Sequence, residues 1–326
     1  MVNKNLFVIG SEHLRKWELK SFLCGFIFFS ISRRNLCVDN LRYVIAKMRN
    51  KGVDYTKVKV NDNLMYINFK DNGISKELYI HRKREHFSTE FIKEIISEDE
   101  IIIDIGANIG YYALLESQLA NKGMVYGVEP IPSNMNLLNR NIELNNRKNF
   151  SSFQCAISDK NGEAKMYVYD KCNWCSFTKD PGGNIIDEIE VQTMTLDKFV
   201  ESCVCQDPTF IRMDSEGHEY QIIKGAANIF KKNNPLKLCI ELHPHLMPRK
   251  NMEELINNLK QSGFKVMAIF LDSTPYNYKN INTINRLCRA MKIPEFGFAG
   301  NSYEDIYKLL KERCYAPIVF FERGKA

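Results

Sequence analysis

The chain has 326 residues, of which 44% are hydrophobic and 11% aromatic, so it contains enough apolar material for a sizeable core. This composition excludes an intrinsically disordered protein, and no apolar run reaches the roughly 18 residues that a membrane-spanning helix needs. The ten cysteines occur singly or in loose pairs, and no secretory signal opens the chain. These features are typical of a reducing compartment, and we expect a cytoplasmic protein.

The net charge of +6 is concentrated in the N-terminal part of the chain. Residues 1–60 contain twelve lysines and arginines against four acidic residues, so the rest of the chain carries a net charge of −2. Within this basic segment the apolar run FLCGFIFF, residues 22–29, is flanked by Lys16, Lys20, Arg33 and Arg34. Such a run suits peripheral contact with an anionic membrane surface, and it also suits a core helix of a small N-terminal subdomain.

The first predicted elements form a hairpin and a helix. The pattern predicts strands at LMYINF and ISKELYIH on either side of the turn KDNG, and then a helix over STEFIKEIIS with Ser88 or Thr89 as its cap. We therefore divide the chain into residues 1–87, a basic helical segment with a hairpin, and residues 88–326, the main domain.

From residue 101 onward, strands and helices alternate. The strand IIIDIG, the helix YYALLESQLA, the strand MVYGVEP and the helix SNMNLLNRNIELNN, which Ser133 can cap, make a βαβ unit of a parallel sheet. A strand SFQCAIS, a hairpin around Asn161-Gly162, the strand TFIRMD, a helix from Glu219 to about Phe230, the strand LKLCIEL, the helix MEELINNLKQSG and the strands KVMAIFL and PIVFFER follow. Residues 272–315, between the last two strands, are predicted to be an insertion or lid. The series predicts an open, doubly wound α/β sheet, whose ligands gather at the carboxyl ends of the strands.

The glycine-rich turn IDIGANIG does not fit a nucleotide site that holds phosphates. Gly106 and Gly110 lack the G-x-G-x-x-G spacing of a dinucleotide site, and no Lys-Ser or Lys-Thr follows, as a P-loop requires. The carboxylate of Asp104 would repel a pyrophosphate, whereas it would attract the ammonium and sulfonium groups of S-adenosylmethionine (SAM). Glu129, 25 residues further on at the next strand end, can accept both ribose hydroxyls. The alternatives are a helix cap for Asp104 and a surface carboxylate for Glu129.

Five blocks carry a resemblance to a known family: IDIGANIGYY, VEPIPSN, CAISDKNGEAKMYV, IRMDSEGHEYQIIKGA and CIELHPH. In this order and at these separations they resemble the FkbM family of SAM-dependent methyltransferases, from about residue 64 to the last strand. The resemblance implies a class I, Rossmann-like sheet of seven strands with the last strand antiparallel. It also implies O-methylation, often of sugar hydroxyls in glycans or glycolipids.

The resemblance also assigns site residues. It places Asp104, Gly106, Asn108 and Gly110 around the methionine part of SAM, Glu129 at the ribose, the backbone of Ala156 near the adenine, Asp214 and Glu216 beside the transferable methyl group, and Glu85 in an Arg84-Glu85 pair before the sheet. Ser215 stands where the family more often has an aliphatic residue. The N-terminal basic segment falls outside the resemblance.

Methyl transfer to a hydroxyl requires a group that takes up the acceptor's proton. We expect Asp214 to be this base or to anchor the acceptor, with Glu241 and His243 on the neighbouring strand as the next candidates. For Asp214 and Glu219 the alternative is capping of the following helix. Asp214, Glu216, Glu241 and His243 could also ligate a divalent metal, but their spacing does not require one, and none is predicted.

The predicted acceptor is a carbohydrate hydroxyl. An RNA methyltransferase is an alternative favoured by the basic N-terminal segment, but a nucleic acid partner is not expected, because no N-P-P-Y type block or RNA-binding module is present and the sheet domain is slightly acidic. A second alternative is a protein that binds SAM without catalysis. The sequence indicates neither the identity of the acceptor nor the oligomeric state.

Overall fold

A computed structural model describes residues 40–71, 73–169, 175–179, 184–204, 207–232, 234–272, 298–312 and 316–324. The chain forms two compact units, of residues 1–52 with 274–298 and of residues 53–273 with 299–326. The main unit thus begins at Val53, whereas the sequence analysis placed its boundary after residue 87. Of the predicted insertion, residues 272 and 298–312 are among those described.

In the first unit, residues 40–49 form the helix α1. The apolar run at residues 22–29 lies outside the described residues. Within the described ranges, every helix is too short or too polar to cross a bilayer.

The main unit contains fourteen strands and nine further helices among the described residues. In chain order they are β1 (Tyr55–Val60), β2 (Asn63–Asn68), α2 (Ile74–His81), α3 (His86–Ile95), β3 (Ile101–Ile105), α4 (Tyr111–Leu119), β4 (Met124–Val128), α5 (Pro132–Leu144), β5 (Phe150–Phe153), β6 (Ala156–Ser158), β7 (Gly162–Tyr169), β8 (Cys175–Ser176), β9 (Ile185–Thr195), α6 (Leu196–Cys203), β10 (Phe210–Met213), α7 (Glu219–Lys224), α8 (Ala227–Lys231), β11 (Leu236–Glu241), α9 (Arg249–Gln261), β12 (Lys265–Phe270), β13 (Phe298–Gly300), α10 (Tyr303–Glu312) and β14 (Ile318–Arg323).

An eight-stranded sheet forms the centre of the fold, with the strand order β13-β12-β14-β11-β10-β3-β4-β5. Neighbours from β11 to β5 pair in parallel, and β14 pairs antiparallel with both β11 and β12. The predicted doubly wound class I methyltransferase sheet is therefore confirmed. The strand β13 adds an eighth strand at the edge, where seven were expected.

The central strands are apolar because both faces of the sheet are covered. All five residues of β3 are buried. Ile101, Ile103 and Ile105 belong to the core on one face, while Ile102 belongs to the core on the other, as the two-residue period of a strand requires.

The predicted hairpin at residues 64–81 is wrong, because its second segment is the helix α2. Asp71 starts this helix: its carboxylate accepts hydrogen bonds from the backbone N–H groups of Gly73 (2.7 Å) and Ser75 (2.8 Å). Ile74 and Leu78, four residues apart, then bury the same helical face. The true partner of β2 is β1, which precedes it.

The predicted single strand SFQCAIS is two strands in two different sheets. β5 pairs with β4 in the main sheet, whereas β6 joins a four-stranded sheet with the order β6-β9-β7-β8. The hairpin expected around Asn161-Gly162 is also wrong, because β9 lies between β6 and β7. The predicted helix from Glu219 to Phe230 is divided at Gly225 and Ala226 into α7 and α8.

Two asparagine side chains, of Asn141 in α5 and of Asn145 directly after it, attach the β1–β2 hairpin to the main sheet. The Asn141 carboxamide accepts from the N–H of Tyr66 (2.6 Å) and donates to the carbonyl of Ile109 (2.8 Å). The Asn145 carboxamide accepts from the N–H of Leu64 (2.9 Å) and donates to its carbonyl (2.7 Å). These amides therefore satisfy the backbone groups along the outer edge of β2, as a neighbouring strand would.

Candidate active site

A cleft lies at the carboxyl ends of β3, β4 and β10, where the sequence predicted the site. Six of the predicted residues line it: Gly106, Asn108, Glu129, Ala156, Asp214 and Glu216. Five predicted residues are not among the described residues that line the cleft: Asp104, Gly110, Glu85, Glu241 and His243. The first three lie behind or beside the cleft wall, and the last two lie next to Asp214 and Glu216.

Glu129 occupies one end of the cleft, directly after β4. Its carboxylate accepts hydrogen bonds from the N–H groups of Asn108 (2.9 Å) and Ile131 (3.0 Å) and from the side-chain amide of Asn134 (3.4 Å). Burial raises the pKa of Glu129 to about 7, against the effect of these donors. The structure therefore fixes this acidic group in place at the cleft.

The glycine turn after β3 passes very close to the end of β10. A Cβ atom on Gly106 would overlap the carbonyl oxygen of Asp214, and Gly106 has φ +81°, which favours glycine. Asn108 also has a positive φ, of 49°, a conformation that asparagine tolerates better than most residues. Gly110, with φ +93°, is the residue from which α4 starts. The positive φ angles at Gly106 and Gly110 thus explain why glycine stands at both positions.

Asp104 lies beneath the cleft wall and is completely buried (0% exposed). Its Oδ1 accepts a hydrogen bond from Nη1 of Arg212 at 3.1 Å, and within the described residues its Oδ2 has no hydrogen-bond partner. Burial raises the pKa of Asp104, whereas Arg212 lowers it. Asp104 therefore does not line the cleft itself. It contacts the cleft wall through Arg212, which does line the cleft.

Arg212 is the main site residue that the sequence analysis missed. Its guanidinium bridges Asp104 and Asp214 (Nη2 to Oδ2, 3.2 Å) and lies over the ring of Tyr112, 4.0 Å from the ring centre. A detectable signal was present, because Arg212 is the one charged residue in the otherwise apolar strand FIRM.

The predicted pair Arg84-Glu85 is part of the same buried network. Arg84 forms an ion pair with Glu85, and Glu85 accepts a hydrogen bond of 2.7 Å from the hydroxyl of Tyr112. Glu85 precedes α3 in the left-handed region, with φ 45°. Arg84 lines the cleft, so Glu85 contacts it through this arginine and Tyr112.

The four predicted catalytic residues lie together at the other end of the cleft, where Asp214 and Glu216 line it and Glu241 and His243 lie next to them. We call these four residues the strand-end cluster. The Nε2 atom of His243 lies 3.4 Å from a Glu216 carboxylate oxygen and 3.9 Å from oxygens of Asp214 and Glu241. Asp214 and Glu216 follow β10, while Glu241 ends the adjacent parallel strand β11 and His243 follows it, so the sheet brings the two pairs together.

Glu219, which the sequence analysis treated mainly as a helix-capping residue, holds His243. Its Oε1 lies 2.9 Å from Nδ1 of His243 and also accepts hydrogen bonds from the Ser215 hydroxyl (3.1 Å) and the Gly217 N–H (3.1 Å). Glu219 is completely buried, so the imidazole contact is shielded from solvent. A carboxylate at Nδ1 directs Nε2 toward the cluster.

The groups of the strand-end cluster have different pKa values. Burial raises the pKa of Glu216 to about 7, and burial together with Asp214 raises that of Glu241 well above its ordinary value. For Asp214, burial is outweighed by Arg212 and His243, and its pKa is lowered. Burial lowers the pKa of His243, but Glu216 and Glu219 outweigh burial and raise it. Asp214 is therefore ionised at neutral pH, while Glu216 can gain or lose a proton.

The turn that carries Glu216 has an uncommon backbone conformation. Glu216 has φ 48° and the following Gly217 has φ 93°. A side chain at position 217 would contact Leu246, so the glycine allows the loops after β10 and β11 to approach each other. A left-handed glutamate of this kind is uncommon and is found preferentially at functional sites.

A doubly wound sheet in which the antiparallel strand β14 lies between β12 and β11, with a cleft at the carboxyl edge of its parallel strands, has the class I methyltransferase architecture. The sequence profile of the methyltransferase FkbM domain matches residues 104–266, half of the chain. The chain belongs to the FkbM methyltransferase family, as the sequence motifs predicted.

Two curated relatives are similar to part of the chain. A hexuronic acid methyltransferase, AglP of Haloferax volcanii, is 25% identical over 181 residues, which are 52% of this chain and 66% of that protein. Methyltransferase 1 of Beauveria bassiana is 23% identical over 146 residues, which are 39% of this chain and 59% of that protein. The chain thus spans less than two thirds of either relative.

Solved structures resemble the chain more distantly. TYW2 of M. jannaschii in complex with AdoMet has a TM-score of 0.41 and 14% identity, covering 83% of this chain and 87% of that one. The fibrillarin pre-rRNA processing protein of Methanococcus jannaschii has a TM-score of 0.40 and 14% identity, covering 84% and 85%. Similarity this low carries no argument about what this chain binds.

Proposed function

We propose that this protein is a SAM-dependent O-methyltransferase that methylates a sugar hydroxyl of a glycan or glycolipid. The observation that carries the proposal is the arrangement of one cleft with two acidic ends. Glu129 lies at one end, and Asp214 and Glu216 lie at the other, with the glycine turn between them.

The residues of the cleft fit SAM. Ribose hydroxyls are donors, and Glu129 is an acceptor that three donor groups of the protein already hold in place. The cofactor also carries an ammonium and a sulfonium group, and the acidic residues around the cleft match that positive charge. No phosphate-binding residue is needed, in agreement with the glycine spacing after β3.

When bound, SAM supplies an activated methyl group. Asp214, kept ionised by Arg212, accepts a hydrogen bond from the acceptor hydroxyl and orients it in line with that group. Glu216, which has a pKa of about 7 and lines the cleft, takes up the proton as the acceptor oxygen gains the methyl group. Arg84 and Tyr112, which also line the cleft, form part of the wall that shields this end from solvent.

The sugar acceptor is supported by one relative, which is named a hexuronic acid methyltransferase. The carboxylates of the strand-end cluster suit a polyol, since carboxylate oxygens accept hydrogen bonds from hydroxyl groups. A carbohydrate acceptor is therefore the substrate class to test first.

We further propose that the protein acts in the cytoplasm and contacts the membrane surface through its N-terminal segment. In α1 the side chains of Leu41, Val44, Ile45 and Met48 are exposed and recur at helical spacing, and the helix carries no acidic residue. An exposed apolar stripe on a basic helix suits an anionic membrane surface. Flotation with anionic vesicles should fall when Val44 and Met48 are replaced by Ser, and equal flotation would count against this contact.

The proposed function is tested by titrating the purified full chain with SAM and then supplying SAM with sugar acceptors. We expect binding of SAM, and a methyl ether on the acceptor that mass spectrometry detects. Glu129→Gln should weaken SAM binding, whereas Asp214→Asn should lower turnover and leave SAM binding nearly unchanged. Glu190→Gln, which alters an exposed carboxylate, is the matched control. A chain that does not bind SAM would contradict the proposal.

A further inference from the structure

We propose that Asp214, Glu216 and His243 bind a hard divalent cation, which holds the acceptor hydroxyl in the cleft. The role in catalysis rests on the proposed function, but the binding of the cation does not. The sequence spacing did not require a metal, and the inference comes from the positions of the side chains.

The ligand atoms are already close together. One oxygen of Asp214, one oxygen of Glu216 and one ring nitrogen of His243 all lie within 4.8 Å of one another. Around Mg²⁺ or Mn²⁺, with bonds of roughly 2.1 to 2.2 Å, ligand atoms lie about 3 to 4 Å apart. The observed separations of 3.4 Å and 3.9 Å from Nε2 of His243 therefore require only small rotations of the carboxylates.

His243 is oriented as a metal ligand would be. Metal-binding histidines generally donate the second ring N–H to a carboxylate, which fixes the tautomer and turns the other nitrogen to the metal. Glu219 provides this contact at Nδ1, at 2.9 Å, and Nε2 faces Asp214 and Glu216. Glu219 is itself fixed by Ser215 and Gly217, so the imidazole is held before a cation arrives.

Glu241 is a second, independent indication of a ligand. Only 8% of this residue is exposed, and among the described residues no group donates a hydrogen bond to its buried Oε2. Its other oxygen lies 3.9 Å from Nε2 of His243, so the carboxylate is directed into the strand-end cluster. An acceptor atom buried without a donor is costly, and a cation beside it, or a water bound to that cation, would satisfy it.

The charges around His243 also favour a cation. Four carboxylates, from Asp214, Glu216, Glu219 and Glu241, lie within 3.9 Å of one imidazole. Of the two nearest guanidiniums, Arg212 is shared between Asp104 and Asp214, and Arg84 contacts Glu85 and Glu77. A divalent cation would offset the repulsion between these closely spaced carboxylates when they are ionised.

Three protein ligands leave coordination positions for the acceptor. Two carboxylates and one imidazole suit Mn²⁺ or Mg²⁺, which prefer six ligands and retain water or substrate oxygens in the remaining positions. A sugar with adjacent hydroxyls could fill two of these positions. A carboxylate that binds a metal through one oxygen keeps the other oxygen free, so Glu216 can still accept a hydrogen bond from the acceptor hydroxyl.

Binding can be tested with Mn²⁺ alone, by electron paramagnetic resonance of the free ion in titrations of the full chain. We expect one Mn²⁺ per chain. The affinity should be at least about tenfold weaker in Glu216→Gln and in His243→Gln, which each lose a ligand, and about tenfold weaker in Glu219→Gln, which loses the contact that orients His243. Glu190→Gln should bind as the unmodified chain does. Circular dichroism and SAM titration of each variant show whether it is folded.

Three results would overturn the inference: no Mn²⁺ binding by the unmodified chain, binding that Glu216→Gln and His243→Gln leave unchanged, or methyl transfer at an undiminished rate in excess chelator. The last result would leave the proposed methyltransferase intact. Conversely, a chain that binds Mn²⁺ in the cluster but not SAM would support the cation site and contradict the proposed function.

Discussion

The two ends of the cleft differ in how their acidic groups are satisfied. At the glycine turn, both oxygens of Glu129 accept hydrogen bonds from the protein. At the ends of β10 and β11, four carboxylates crowd one imidazole, and Oε2 of Glu241 has no donor among the described residues. The first end is complete in the protein alone, whereas the second has acceptor atoms in excess of donors.

The difference indicates what each end requires from its ligand. A carboxylate already held by N–H groups can recognise hydroxyl donors with little rearrangement, which suits the ribose of the proposed cofactor. Crowded, buried carboxylates are stabilised by added positive charge, by added donors or by protonation, and burial does raise the pKa of Glu216 and Glu241. Arg212, which contacts Asp104 and Asp214, links the wall behind the cleft to the strand-end cluster.

The largest effect is expected from removing this link. Arg212→Met would leave the completely buried Asp104 without its ion-pair partner, and we expect the free energy of unfolding to fall by about 3–5 kcal/mol. Urea denaturation followed by circular dichroism measures this change. Arg249→Met, which breaks an exposed pair with Glu253, is the control and should cost less than about 1 kcal/mol. Equal losses would show that Arg212 carries no special structural role.

Gly106→Ala should distort both ends of the cleft together. The new Cβ would overlap the carbonyl oxygen of Asp214, and the residue would keep a positive φ, so we expect a loss of about 2–4 kcal/mol. Urea denaturation of the variant measures the effect. Gly324→Ala is the control, because nothing lies within 4 Å of the atom that it adds. If the two variants were equally stable, the close approach of the turn to Asp214 would not constrain the fold.

Glu216→Gln should affect the acceptor end alone. If Glu216 takes the acceptor's proton, the glutamine variant should lose about 100-fold or more in kcat. The dissociation constant of SAM should change by less than about twofold, because the cofactor end keeps all its contacts. Turnover and SAM titration of the same preparation provide both values, and a variant that loses SAM binding instead would place Glu216 at the cofactor end.

The smallest expected effect is a pH dependence at the cofactor end. Glu129 has a pKa of about 7, raised by burial, and its ionised form is the better acceptor for ribose hydroxyls. Below pH 7 it is mainly protonated, so SAM affinity should rise with pH, by about tenfold between pH 6 and pH 8. Titrations at several pH values should show this rise in the unmodified chain.

Two variants assign that pH dependence. Glu216 also has a pKa of about 7, so Glu216→Gln should keep the rise in SAM affinity if Glu129 is responsible. Glu129→Gln should abolish it. The opposite pattern would move the titrating group to the strand-end cluster.

Much of the main sheet could be predicted from the sequence because its strands are continuous apolar runs. The predicted strand IIIDIG and β3 (Ile101–Ile105) differ by one residue. The errors have different causes. ISKELYIH was predicted as the second strand of a hairpin, but the Asp71 carboxylate starts a helix there. β9 begins more than 15 residues after β7 ends, yet it lies between β6 and β7 in the sheet. No local sequence pattern reveals this pairing.

In the site, residue types could be predicted better than their contacts. The sequence identified Asp214, Glu216, Glu241 and His243 as one group because adjacent parallel strands end side by side. It could not show that Asp104 pairs with Arg212, since these residues are 108 positions apart. It could not show the contact of Glu219 with His243 either, because the first turn of α7 also explains a glutamate there.

The paired amides of Asn141 and Asn145 have a consequence for the solubility of the protein. The outer edge of β2 would otherwise offer free N–H and C=O groups to a strand of another molecule. Side chains of a helix occupy these groups, and a helix cannot propagate a sheet. The hairpin at the start of the main unit is thereby protected from intermolecular strand pairing by the side chains of two residues.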